Sequence, residues 1–144
     1  MHNARVETTT APDGTPLVHA RFDLSAEEVD ATARAINAAR TEQFRHAELS
    51  ADDVLAMREL TALADELTSL AGHRSACTLD LRPARLVALR DGLDAFVAHR
   101  DEAGFTREED REAYAHAQAL AGPLADLSAD VLRAALDAAT TAEH

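Results

Sequence analysis

The sequence contains no lysine and no tryptophan, one cysteine (Cys77), and aromatic residues at only 3%. A lone cysteine excludes an intrachain disulfide and a cysteine-built zinc cluster. With so few aromatics the core must come from Leu, Val and Ala, which suits closely packed helices with small side chains between them. Five glycines leave little for a phosphate cradle, and no P-loop, G-x-G-x-x-G or G-x-S-x-G pattern occurs. No apolar run approaches the roughly 20 residues of a membrane helix. The opening MHNARVETTTAPDG lacks the apolar stretch of a signal peptide, so a cytoplasmic location is expected. Basic residues number 14, all Arg, against 26 acidic ones, for a net charge of −12. Such a chain is repelled by phosphate backbones and anionic lipid, which argues against nucleic acid and membranes as partners. Arginine without lysine, together with abundant Ala, points to a high-GC bacterial genome.

What is present fits one domain across 144 residues, 47% of them apolar. The ends, 1–4 and 141–144, are expected to be disordered. Local chemistry marks five helix starts. In Leu24-Ser25-Ala26-Glu27-Glu28-Val29, Ser25 can cap while Glu28 reaches back to its amide, and Leu24 can staple onto Val29. Leu49-Ser50-Ala51-Asp52-Asp53-Val54 repeats the device. Leu127-Ser128 with Leu132 keeps cap and staple, Thr106 with Glu109 forms a capping box, and Pro83 suits a first helical position. Apolar spacing agrees: Val29, Ala33, Ile36 and Phe44 in the first helix; Val54, Met57, Leu60, Leu63, Leu67 and Leu70 in the second. Leu86, Leu89, Leu93 and Phe96 mark the third helix, and Leu120, Leu124 and Leu127 the fourth. Gly122-Pro123 predicts a kink or break before a last helix with Leu132 and Leu136.

Two segments alternate as strands, Leu17–Leu24 and Ser75–Leu81, and Arg5–Thr10 is a weaker third. Pro12-Asp13-Gly14 is a turn signal able to fold Arg5–Thr10 onto Leu17–Leu24. The expected fold is therefore α+β and mostly helical: an antiparallel sheet of two or three strands with about five helices on one face. An all-α bundle is the alternative. A shift of 57 residues superposes Phe22-Asp23-Leu24 on Leu79-Asp80-Leu81, Val29 on Leu86 and Ile36 on Leu93. That match suggests an internal duplication, 17–73 and 74–130, each half a strand followed by two helices.

Alternation places His19, Arg21, Asp23, Thr78 and Asp80 together on the sheet face turned from the helices. They are the candidates for binding a small ligand or a partner, although a solvated sheet face has the same pattern. Glu42/His46, Glu112/His116 and His99/Glu102 each share a helix face. None has the H-E-x-x-H or Glu-x-x-His spacing of a metal site, so no metal and no cofactor is expected. Cys77 falls on the apolar side of its strand, as a core thiol would. Without a catalytic constellation the expectation leans away from an enzyme, toward a protein-interaction or regulatory module. Alternatives are a small enzyme or ligand binder using the polar sheet face, and an acidic nucleic-acid mimic. A homodimer is expected, because the sheet edges and the broad apolar stripes on the helices call for cover.

Overall fold

The computed structural model describes residues 1–46 and 50–142. Strands β1 (His2–Thr10) and β2 (Pro16–Leu24) form a hairpin, followed by helices α1 (Ala26–His46) and α2 (Ala51–Gly72). Strand β3 (Cys77–Leu81) then leads into α3 (Pro83–Ala103) and α4 (Glu108–Ala142). The sheet has the order β1-β2-β3 and is antiparallel throughout. The all-α alternative is thus not favoured.

The hairpin turns where the sequence placed it. Gly14 adopts φ +87, Gly14 N–H donates to the Ala11 carbonyl at 2.9 Å, and the Asp13 carboxylate accepts from Thr15 N–H at 3.0 Å. Strand β1 is longer than expected. It begins at His2, which pairs with Asp23 ahead of an irregularity before Arg5, so residues 2–4 lie in the strand where disorder was expected, and the Met1 ammonium bonds the Glu28 carboxylate. At the other end Thr141 still lies in α4, while residues 143–144 lie outside the described residues.

The start of α1 is the expected capping box: Glu28 N–H donates to Ser25 Oγ at 3.2 Å, and Ser25 N–H to Glu28 Oε1 at 2.9 Å. Leu24 and Val29 are both fully buried behind it, as a staple requires. Ser50 caps α2 by accepting from Asp53 N–H at 3.2 Å. Its expected staple residue, Leu49, lies outside the described residues.

Among the described residues four helices form where five were expected, because α4 runs on through Gly122-Pro123. Proline in a helix interior costs about 3 kcal/mol. Leu120, Leu124, Leu127 and Val131, all buried along one face of α4, offset that at roughly 1.5–3 kcal/mol each. Ser128 consequently sits in mid-helix, its buried hydroxyl without a partner, and is no cap. One core draws on both β2 and β3 and on all four helices, including Phe22, Leu24, Ile36, Leu63, Leu79, Leu93 and Leu124. Phe44 is not part of it: the ring is 56% exposed. The two segments read as a duplication fold in the same order, β2-α1-α2 and β3-α3-α4. Under the 57-residue shift α1 maps onto α3 end to end, and the starts of α2 and α4 coincide.

Candidate functional site

The polar sheet face gathers the five residues expected there. The register sets Arg21 opposite Asp80 and Asp23 opposite Thr78. His19 Nδ1 lies 3.1 Å from Asp80 Oδ1, and Thr78 donates to Asp23 at 2.6 Å. Strand β1 adds residues that the sequence reading left out: Thr9, whose hydroxyl is 3.2 Å from His19 Nε2, and Glu7, which accepts from Arg5 at 2.9 Å and Arg21 at 3.3 Å. Their signal was the register alone, since Glu7 pairs opposite His19. These bonds hold carboxylates ionised. Arg5 and then Arg21 lower the Glu7 pKa, and Thr78 and then Asn3 lower that of Asp23.

Thr9, His19 and Asp80 form a hydroxyl–imidazole–carboxylate chain with the connectivity of an acyl-transfer triad. The setting differs. Thr9 and Asp80 are exposed on an open sheet, and neither of the two cavities described touches any residue of this face. A nucleophile there would have nothing to exclude water or to bind a developing oxyanion. The face spends its hydrogen bonds on cross-strand pairs within the sheet.

A concavity lined mainly by apolar residues lies on the helical side. It is a groove of about 640 Å³ between α1, α2 and α3. Its floor holds Leu60, Gly92 and Phe96, its walls carry Ala38, Ala88 and Ala95, and exposed Leu55 and Val87 flank it. Gly92 is what lets the three helices meet beneath it. A Cβ there would stand 2.8 Å from Ile36 Cδ1 and 3.0 Å from Leu60 Cδ1. Carboxylates of Glu42, Glu59 and Asp91 ring the opening. Arg85 bonds Glu59 at 2.7 Å, and His99 Nε2 stands 3.7 Å from Glu42.

That last pair joins members of two of the suggested His/Glu helix pairs, Glu42 of α1 and His99 of α3. The side chain of His46 lies outside the described residues, and among the described residues no three His, Cys, Asp or Glu groups converge as metal ligands. Cys77 packs against the core but is half-buried, less enclosed than expected. Burial, then Glu66 and Asp23, raises its thiol pKa. No helix among the described residues is long and apolar enough to cross a membrane. Comparison with protein-family models, with curated proteins and with solved structures finds no match.

Proposed function

We propose that this chain is a non-enzymatic protein-interaction module of a bacterial cytoplasm that receives an apolar, basic-flanked helix of a partner in the α1–α2–α3 groove. The observation that carries the reading is the groove: about 640 Å³ of space with Leu, Phe, Ala and Gly at its base and Glu42, Glu59 and Asp91 at its mouth. A cleft of that size takes one or two bulky side chains projecting from a helix, the way amphipathic helices seat their anchors. Asp91 at the mouth and the −12 net charge favour a partner with Lys or Arg beside its anchors, whereas Glu42 and Glu59 are already held by Arg45, His99 and Arg85.

The polar sheet face supports a ligand site less well, because its charged groups are already paired with one another. An acidic nucleic-acid mimic is supported less well too. Its carboxylates would need to form one array, whereas here many are tied to arginines on separate elements. The test uses two fluorescent model peptides, a leucine–lysine amphipathic helix and its leucine–glutamate counterpart, in anisotropy titrations. Saturable binding of the basic peptide alone is expected, weakened by Asp91→Arg and abolished by Ala95→Trp, which fills the groove. Equal binding of both peptides, or undiminished binding by a folded Ala95→Trp variant, would refute the reading.

A further inference from the structure

We propose that the outer face of α4 is a homodimer seam, in which two copies of the helix pack antiparallel about a two-fold axis near residues 130–131. The proposal is independent of the groove, which lies on other helices.

Among the described residues Leu132 and Leu136 are the most exposed large apolar side chains, at 63% and 62%. None of the described residues buries them, because the buried stripe of α4 (Leu120, Leu124, Leu127, Val131) lies on another side of the helix. They belong to a regular row: Ala125, Ala129, Leu132 and Leu136, with successive spacings of four, three and four. That alternation is the spacing of a coiled-coil seam. The row is also asymmetric, two small residues followed by two large ones. Laid antiparallel on a copy of itself, it sets Ala129 against the partner's Leu132 and Ala125 against the partner's Leu136. Each leucine then fills the space that an alanine leaves, and the same four layers repeat across the axis. A parallel arrangement would set leucine on leucine and leave alanine facing alanine.

Charge selects the same register. Asp126 and Arg133 follow the seam positions 125 and 132 on one flank, and both are exposed. In an antiparallel pair, flanking positions of this kind face their own equivalents across the axis. Asp126 therefore meets the partner's Arg133, and Arg133 the partner's Asp126. Among the described residues Arg133 pairs with Asp130 of its own helix at 3.5 Å, an exposed i,i+3 contact through one of its guanidinium nitrogens. A self-complementary patch of this kind closes as a two-fold dimer. The contact is one helix pair, below the area of a standard interface, so a weak and concentration-dependent dimer follows. Two copies joined in this way would carry two copies of the α1–α2–α3 groove.

Light scattering after size exclusion, over a concentration series reaching the high micromolar range, provides the test. The mass is expected to rise from 15.4 kDa toward twice that value. Leu132→Glu combined with Leu136→Glu should stay monomeric at every concentration while keeping the wild-type circular dichroism, since both side chains point to solvent. Arg133→Asp and Asp126→Arg should each weaken the dimer by about tenfold or more, and the double exchange should restore it. A wild-type mass that stays at 15.4 kDa overturns the proposal. So does a dimer untouched by the leucine substitutions, which would place the interface elsewhere. Failure of the double exchange to restore association would overturn the antiparallel register.

Discussion

Replacing Gly92 with alanine sets two opposing effects against each other. In a helix interior alanine is favoured over glycine by about 1 kcal/mol, mostly through backbone entropy. Gly92 is buried, and the new methyl would stand 2.8 Å from Ile36 Cδ1 and 3.0 Å from Leu60 Cδ1. Carbon pairs rest at roughly 3.5–4.0 Å, so each neighbour must retreat by about 0.5–1 Å. Leu60 borders the groove and has room to swing. Ile36 has none, being fully buried in the core. Overpacking of this kind costs typically 1–3 kcal/mol, which outweighs the helix gain and leaves Gly92→Ala destabilised by about 1 kcal/mol. Gly72 is the internal control. It is the last residue of α2, is exposed, and has nothing within 4 Å of the position a Cβ would take. Gly72→Ala should therefore stabilise by up to ~1 kcal/mol. Urea denaturation of both variants, with unchanged slope, reads the difference as opposite shifts in midpoint. Equal stabilisation by both substitutions would refute the close approach of three helices at Gly92.

Three further perturbations test the entrance to α1 and the half-buried thiol. Glu28 is partly buried, which opposes its ionisation. The Met1 ammonium and Ser25 nonetheless hold its pKa down to about 2, from an ordinary value of 4.5. A carboxylate lowered in the folded state contributes stability fully above pH 4.5 and loses it as the pH falls toward 2. Glu28→Gln should therefore flatten the acid limb of a thermal-stability profile between pH 4.5 and 2, and an unchanged limb would contradict the pairing. Ser25→Ala should cost ~1 kcal/mol by chemical denaturation at neutral pH, and no change would mean the cap contributes nothing. The raised thiol pKa of Cys77 predicts slow labelling by a thiol reagent at pH 8, speeding on addition of denaturant. Labelling at the rate of free cysteine in native buffer would contradict the packing of β3.

The elements that could be read from sequence were those governed by neighbours in the chain. The Ser25 box, the Ser50 cap and the Gly14 turn depend on groups within a few residues, and all three form. Strand alternation placed His19, Arg21, Asp23, Thr78 and Asp80 on one face for the same reason. Local chemistry misled at Ser128 and Pro123, where the buried face of a longer helix overrides both cap and break. It also misled at Phe44, Leu132 and Leu136, whose spacing matches a core stripe but whose side chains are exposed. The groove was invisible because residues such as Ala38, Ala88, Ala95 and Gly92 carry no signature as a wall. Only the crossing of three helices turns them into one.

The order of the strands sets the order in which the chain can assemble. Strands β1 and β2 are joined by a short turn, so their hairpin closes a small loop at little entropic cost. β3 reaches β2 only after two whole helices have intervened, since Phe22 pairs with Leu79. That closure gives up far more chain freedom, and pairings of high sequence separation are the slow ones. β3 therefore works as a late clasp: the hairpin and α1 can form while Leu79 and Leu81 are still in solvent. Weakening β3 should then hasten unfolding while leaving the rate of folding nearly unchanged, the kinetic mark of a strand absent from the transition state.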